Sequence, residues 1–227
     1  MSDTVSSRLE SILESFPKDR TVTLVAVSKF QPDELILEAY EAGQRDFGES
    51  RVQELESKSR SLPSDIRWHF IGHLQTNKVA QLLKINGLHL IQSVDSFRLL
   101  ELIDREAYKA GITARILLEV HVAQEETKFG FSPEELIDWF RNGGFESLKA
   151  VHICGIMGMA SNTDNLQRIT EDFRKLHDCY ETILNISPEL RGFDILSMGM
   201  SGDYLEAIRE GSNMVRIGSS IFGERNY

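Results

Sequence analysis

Lys29 is the residue whose position offers the most chemistry. It ends a short apolar run that starts at Thr23 and is rich in β-branched residues, which predicts a buried strand ending at the lysine. Burial disfavours the charged ammonium form and leaves an amine able to form a Schiff base with an aldehyde. The alternative is that the strand simply ends and Lys29 extends into water. This segment alone leaves both interpretations open.

Two loops near the end of the sequence have a composition that suits a phosphate group. One spans residues 200–203 after the seventh predicted strand, and the other spans residues 218–223 after the eighth. Glycine lets the backbone approach a ligand closely, and serine hydroxyls and free N–H groups suit phosphate oxygens. Glycine and serine are also common in ordinary turns. In a barrel, however, phosphates often bind beside the loops after strands seven and eight, so these loops predict a phosphate site opposite Lys29.

Arg216 lies within the eighth apolar strand. Its charge would be costly inside a barrel without an acceptor. One interpretation is a structural ion pair with an acidic residue. The other is a guanidinium group that faces the ring nitrogen of a bound aromatic cofactor.

His69 and His73 are four residues apart, a spacing that can indicate a metal site. They span a strand and its turn rather than one helix face, and the sequence shows no carboxylate or third histidine clustered with them. We therefore expect no metal site.

Eight short apolar segments alternate with longer amphipathic segments along the chain. This alternation in 227 residues predicts an α/β fold, a (β/α)8 TIM-type barrel that forms a single domain over residues 1–227. An open, doubly wound sheet is the alternative. The predicted strands are 23–29, 46–49, 68–72, 89–94, 114–122, 151–157, 195–199 and 214–218.

Composition excludes several classes of protein. The formal net charge of −10 argues against a nucleic-acid surface, which is usually basic. Two cysteines in strand-like and helix-like runs do not suggest a disulfide framework, which fits a reducing cytosol. The acidic N-terminus lacks the cationic start of a signal peptide, and no apolar run is long enough to span a membrane. We expect a cytoplasmic protein that binds neither nucleic acid nor membranes.

The motifs taken together resemble the YggS/PROSC family of pyridoxal 5′-phosphate (PLP) homeostasis proteins. They occur in family order through nearly the whole chain: AVSK (26–29), FGE (47–49), WHFIGHLQTNK (68–78), KFG (128–130), GIM (155–157), SMGMSGD (197–203), VRIG (215–218) and IFG (221–223). One departure is Ser50, where the family usually has asparagine, so the contact made by that amide is not expected here.

The resemblance implies a single barrel similar to the N-terminal domain of alanine racemase, with PLP held as a Schiff base on Lys29. It implies that Ser201, Gly218 and Ser219 hold the phosphate and that Arg216 faces the pyridine nitrogen. It also implies that the pocket is lined by Met157, His69, Ile71 and Gly199.

Three functions are compatible with these residues. The resemblance implies a monomeric PLP-binding protein of vitamin B6 and amino-acid balance, without a committed reaction but with room for weak side activity and transient contact with PLP-accepting apo-enzymes. A PLP-dependent racemase is the second function, and Arg216 alone does not exclude it, because alanine racemase also has arginine at that position. Such a racemase needs a second base opposite Lys29 and an additional β-domain, and we expect no such domain in these 227 residues. A Schiff-base aldolase or lyase would use Lys29 without a cofactor.

Overall fold

The computed structural model describes residues 4–124 and 129–223. In these residues eight parallel strands close into a barrel in sequence order, with β8 paired to β1. The predicted barrel is confirmed, and the open sheet was the wrong alternative. The strands are β1 Thr23–Val27, β2 Asp46–Glu49, β3 Arg67–Phe70, β4 Leu88–Val94, β5 Ala114–His121, β6 Val151–Met159, β7 Ile195–Ser197 and β8 Met214–Ile217.

Helices connect the strands on the outside of the barrel. They are α1 Val5–Glu14, α2 Asp33–Glu41, α3 Val52–Ser61, α4 Val79–Leu82, α5 Phe97–Ala110, α6 Pro133–Arg141, α7 Leu166–Ile186, α8 Tyr204–Arg209 and α9 Ser219–Phe222, with short 3₁₀ helices at Thr76–Lys78 and Gly144–Ser147. In the described ranges no helix is both long and apolar enough to cross a membrane. Lys128 of the predicted motif 128–130 lies outside the described residues.

Local sequence signals set the helix ends. The Ser132 hydroxyl accepts a hydrogen bond from the backbone N–H of Glu135 at 3.1 Å, and Pro133 occupies the first helical position of α6. Gly111 ends α5 in the left-handed conformation, with φ of 67°, which glycine adopts without steric cost. These ends fix where each helix returns to the barrel.

Apolar side chains form two separate cores. The larger core lies between the sheet and the helices, where Phe47 packs on Trp68 with ring centroids 6.0 Å apart. A smaller cluster lies inside the barrel because side chains alternate along each strand. Its buried members are Val25, Leu90, Leu117, Cys154, Met157 and Met214. Polar residues share this interior, and Arg216 of the candidate site is one of them.

A bulge in β6 determines which of its side chains face the interior. The pairing of β5 with β6 passes from Ile116 opposite Ile153 to Leu117 opposite Gly155, so Cys154 is an extra residue. This shift explains why Cys154 and Met157, three residues apart, both belong to the interior cluster. A Cβ atom at Gly155 would lie 1.8 Å from the carbonyl oxygen of Ile195, so only glycine fits there.

Candidate functional site

Lys29 follows β1 and is positioned by a buried polar network behind the strand. The Ser28 carbonyl accepts a hydrogen bond from Lys58 Nζ at 2.8 Å, and the Ser28 hydroxyl donates to Glu49 Oε1 at 2.6 Å. Lys58 also pairs with Glu49 at 2.9 Å and with Glu54 at 2.7 Å. Ser28, which precedes Lys29, is therefore held through both its carbonyl and its hydroxyl group.

The residue after Lys29 has an unusual backbone conformation. Phe30 has φ of 64°, which is uncommon for a residue other than glycine. Its N–H donates to Glu54 Oε1 at 2.6 Å, and the Arg51 guanidinium lies 4.7 Å from its ring centroid. Backbone strain of this kind persists where surrounding structure enforces it, often at ligand sites. Glu54 thus fixes the chain on both sides of Lys29.

Arg216 is buried, and its guanidinium is held by neutral acceptors. Nη1 donates to the carbonyl and the hydroxyl oxygens of Ser197 at 3.0 and 2.6 Å, and Nη2 donates to the Gly158 carbonyl at 3.0 Å. Burial lowers the pKa of Arg216 to about 10, and the charges of Glu119 and Asp203 oppose that shift. The contacts fix the plane of the guanidinium and keep a cation inside the barrel.

The two loops predicted to bind phosphate meet in the structure. The Gly218 N–H donates to Ser201 Oγ at 3.2 Å and thereby joins the loop after β7 to the loop after β8. Asp203 Oδ1 accepts the N–H of Met200 at 2.6 Å and shapes the first loop. Ser219 is exposed at the start of α9. The serines and the glycine backbone therefore converge where the last two strands end.

Gly199 has a structural reason to be glycine. Its φ is 98°, and a Cβ atom there would lie 2.6 Å from Ala207 Cβ and 3.0 Å from Tyr204 Cα. Close packing of α8 against the end of β7 thus explains the glycine without a ligand contact.

Met157 and Ile71 lie on the interior side of the barrel wall. Met157 is buried and stands opposite Ser197 in the pairing of β6 with β7. Ile71 directly follows β3, and its Cδ1 lies 3.1 Å from where a Cβ atom of Gly48 would be. Ile71 thus fills the space beside Gly48, near Val25 of the interior cluster.

His69 does not lie with these residues, which corrects its expected place in the cofactor pocket. Both of its ring nitrogens are taken by hydrogen bonds, Nε2 to Asp46 Oδ1 at 3.0 Å and Nδ1 to Gln92 Nε2 at 2.9 Å. His69 lines a pocket of about 340 Å³ together with the first residues of several strands. The first residues of the parallel strands lie at one end of the barrel, and Lys29, which follows the last residue of β1, lies at the other end. The sequence does not distinguish the two ends, because a side chain can point inward at either end of a barrel strand.

The structure also corrects the expectation that no acidic residue or third histidine clusters with His69. Ligand atoms of Asp46, His69 and His89 lie within 4.8 Å of one another. Two arginines compete for those atoms: Arg67 Nε donates to Asp46 at 2.8 Å, and Arg115 Nη1 lies 2.9 Å from His89 Nε2. Burial lowers the pKa of His89 to about 4, and the charge of Arg115 acts in the same direction. The positive charge there disfavours a metal cation.

Three further polar residues lie inside the barrel and were not predicted from the sequence. Gln92 and Ser197 are fully buried and hydrogen-bonded to each other at 2.8 Å. Glu119 is buried on β5, and burial raises its pKa to about 7, with the charge of Asp95 acting in the same direction. Each of the three is a polar residue at an inward position of an apolar strand, and this pattern could have identified them from the sequence.

The arrangement suits one kind of ligand. An amine, a buried guanidinium and a pair of serine–glycine loops lie near the carboxyl ends of β1, β7 and β8. An amine can bond an aldehyde, the loops suit a phosphate, and the cation suits an unprotonated ring nitrogen. A phosphorylated heteroaromatic aldehyde carries all three groups.

Comparison with known proteins gives an independent result. The profile of the family described as "Alanine racemase, N-terminal domain" matches residues 3–226. The pyridoxal phosphate homeostasis protein of Schizosaccharomyces pombe is 37% identical over 219 residues, which cover 96% of this chain and 90% of the relative.

Solved structures agree with this match. The chain is similar to PipY of Synechococcus elongatus, solved without PLP (TM-score 0.89, 34% identity) and with PLP bound (TM-score 0.85, 33% identity). In both cases 97% of this chain and 100% of the PipY chain are covered. Alanine racemase from Corynebacterium glutamicum shares the fold at a TM-score of 0.75 and 12% identity, over 99% of this chain and 62% of the racemase.

Proposed function

The chain belongs to the alanine racemase N-terminal domain family and, within it, to the pyridoxal phosphate homeostasis proteins; from this we propose that it binds PLP and serves intracellular PLP homeostasis and amino-acid balance. The observation that carries the proposal is the similarity, over nearly the whole chain, to PipY, a protein solved with PLP bound. The convergence of Lys29 and the loops after β7 and β8 supports it.

We assign roles to the residues of this site. Lys29 bonds the cofactor as a Schiff base, because it is the amine at the end of β1. Ser201, Gly218 and Ser219 hold the phosphate, and Arg216 faces the ring nitrogen. The candidate residues of the wall of the cofactor pocket are Met157, Ile71 and Gly199. The joined loops and the fixed guanidinium plane support these assignments.

We further propose that the protein has no committed reaction. Bound PLP supplies a ring that withdraws electrons from the α-carbon of an amino acid, most strongly when the ring nitrogen is protonated. Arg216 carries a positive charge and disfavours that protonation. Only weak side activity is then expected. The alanine racemases of the same fold are enzymes, so this part of the proposal needs its own test.

A lysine variant tests the cofactor assignment. Lys29→Ala should abolish the absorbance of lysine-bound PLP, and borohydride reduction of the unmodified protein should fix the cofactor on the peptide that contains Lys29. Lys84→Ala, a change at an exposed lysine, is the matched control and should keep the full absorbance. Full absorbance in Lys29→Ala, with attachment at another lysine, would overturn the assignment.

A chiral assay with L-alanine tests the absence of a committed reaction. Racemisation at ordinary enzymatic rates, roughly 1–10³ per second, would favour the racemase alternative instead. Arg216→Glu should raise side reactions at the α-carbon, because a carboxylate would favour protonation of the ring nitrogen, provided that PLP still binds.

The same proposal includes a single domain over residues 1–227, a cytoplasmic location and a monomeric state. Light scattering should then give a mass near 25.8 kDa both with and without PLP. A mass near twice that value would contradict the monomer.

A further inference from the structure

A continuous chain of hydrogen bonds crosses the barrel interior. It runs from Arg216 Nη1 to Ser197 Oγ at 2.6 Å, from Ser197 Oγ to Gln92 Oε1 at 2.8 Å, from Gln92 Nε2 to His69 Nδ1 at 2.9 Å, and from His69 Nε2 to Asp46 Oδ1 at 3.0 Å. We call these five residues the interior relay. Arg216 is its member at the proposed cofactor site, and Asp46 is its member at the opposite end.

The relay spans the barrel rather than following its wall. Gln92 lies on β4, whose neighbours in the closed sheet are β3 and β5. Its partner Ser197 lies on β7, so their hydrogen bond must pass through the interior. Gln92, Ser197 and His69 are each fully buried. Water therefore does not compete for these bonds, and an unmade bond would leave a costly unpaired polar atom.

The chemistry of the donors gives the relay a direction. Arginine only donates, so Ser197 Oγ accepts from Arg216 and its own proton is free for Gln92 Oε1. The Gln92 amide nitrogen also only donates, so His69 Nδ1 must accept. His69 then carries its proton on Nε2 and donates it to Asp46.

The reverse orientation of the Gln92 amide is disfavoured. It would require a proton on His69 Nδ1, and neutral His69 would then face the Asp46 carboxylate with an unprotonated nitrogen. A doubly protonated ring is opposed by burial, which lowers the pKa of His69. Hydrogen bonds from Arg67 and His69 lower the pKa of Asp46 against the effect of its burial, so this end of the relay is a carboxylate. Every bond therefore points from the guanidinium cation towards an anion.

We propose that Gln92 and His69 are positioning residues that fix the orientation of Arg216 towards the cofactor, although neither lies at the cofactor site. The proposal rests on the proposed function, because it takes the ring nitrogen of PLP as the target of Arg216. Gln92 holds the Ser197 hydroxyl with its lone pairs towards Arg216. His69, anchored on Asp46, holds the Gln92 amide in the required orientation.

The consequence is that a change near the middle of the barrel alters PLP binding. Without Gln92, the Ser197 hydroxyl can rotate and present its proton to Arg216, which cannot accept it. Nη1 then keeps only the Ser197 carbonyl, and the guanidinium gains freedom to tilt away from the ring nitrogen.

Gln92→Met tests the proposal, because methionine has similar length and removes both hydrogen bonds. The dissociation constant for PLP, from absorbance titration, should rise about tenfold. Leu90→Met, on the same strand within the interior cluster, is the matched control and should stay within twofold of the unmodified protein. In an Arg216→Lys background the effect of Gln92→Met should fall below twofold, because the group that it positions is gone. If the increases in the dissociation constant caused by Gln92→Met and by Arg216→Lys multiply in the double variant, the proposal is wrong.

Gln92→Glu provides a second test that also serves if Gln92→Met does not fold. A protonated glutamate can donate to His69 and still accept from Ser197, whereas its carboxylate cannot donate. The quantity to compare is the ratio of the dissociation constant of the variant to that of the unmodified protein at the same pH. This ratio should therefore fall as the pH is lowered. A ratio that does not change with pH would contradict the relay.

Nitrogen NMR of His69 gives a measurement that does not need the cofactor. In the unmodified protein without PLP, the ring should carry its proton on Nε2, and Gln92→Met should produce a mixture of the two tautomers. A proton on Nδ1 in the unmodified protein would overturn the relay. Failure of the unmodified protein to bind PLP would instead overturn the proposed function, so the two failures are distinguishable.

Discussion

Glu119 has its charge state set by burial inside the barrel. Its pKa is raised from 4.5 to about 7. A carboxyl group with a raised pKa binds its proton more tightly in the folded state than in the unfolded state. The free energy of unfolding therefore falls as the pH rises from about 4.5 to about 7, and the loss is complete above that range.

Glu119→Gln should remove this dependence. Relative to the unmodified protein, the free energy of unfolding of the variant should increase by about 3 kcal/mol between pH 4.5 and pH 8, since one pKa unit corresponds to about 1.4 kcal/mol. Urea unfolding at several pH values measures it. Glu101→Gln, on an exposed position of α5, should show no such trend. Parallel curves for Glu119→Gln and the unmodified protein would show that the pKa of Glu119 is the same in the folded and unfolded states.

Ser201 should matter more for the phosphate of the ligand than for its ring. A hydrogen bond to a charged phosphate contributes roughly 1.5–3 kcal/mol. Ser201→Ala should therefore weaken binding of PLP about tenfold or more and leave binding of unphosphorylated pyridoxal nearly unchanged. Titration with both ligands measures the difference. An equal loss for both would place the phosphate elsewhere.

The individual residues of the site differ in how far the sequence predicts them. Lys29 and Arg216 can be identified from local sequence alone, because a charged side chain in an apolar strand is unusual and requires an explanation. The partners of Arg216 could not be predicted, because Ser197 and Gln92 meet only after the barrel has closed. His69 was misplaced for the same reason: its partner Asp46 lies on the neighbouring strand at the other end of the barrel.

The helix α3 acts on the site from outside the barrel. Its residue Glu54 accepts the N–H of Phe30 and pairs with Lys58, which in turn holds the Ser28 carbonyl. One helix therefore fixes the two peptides on either side of Lys29. The sequence predicts the strand, the helix and the lysine, but no periodicity predicts that a glutamate of α3 accepts from a backbone N–H beyond β1.

Glu54→Ala should loosen this turn without unfolding the barrel. We expect PLP to dissociate several times faster, because the left-handed conformation of Phe30 loses its hydrogen bond and Lys58 loses a partner. Stopped-flow transfer of PLP to a scavenging enzyme measures the rate. Glu56→Ala is the matched control on the same helix, where Glu56 pairs with Arg60 away from Lys29. Equal rates in the two variants would contradict a role for Glu54.

Element boundaries were predicted well where local chemistry sets them and less well where packing does. The cap at Ser132 and the end of α5 at Gly111 follow from one residue each. The bulge at Cys154 does not, because the extra residue is accommodated by contact between Gly155 and β7.

Binding of PLP should stabilise the fold as a whole. A ligand that binds only the folded state adds about 2.7 kcal/mol at a concentration one hundred times its dissociation constant. For a chain of 227 residues this should raise the melting temperature by roughly 5–10 °C. Differential scanning calorimetry measures the shift, and Lys29→Ala should reduce it. No shift at saturating PLP would mean that the ligand does not prefer the folded state.

Closure of the barrel also determines how another protein can meet this chain. In the described part of the chain β1 pairs with both β2 and β8, so the sheet presents no free edge to which a foreign strand could be added. A protein partner would then have to be recognised through side chains of loops and helices. With a net charge of −10, such encounters should be steered by charge: partners with a basic entrance meet this surface fastest, and added salt slows them.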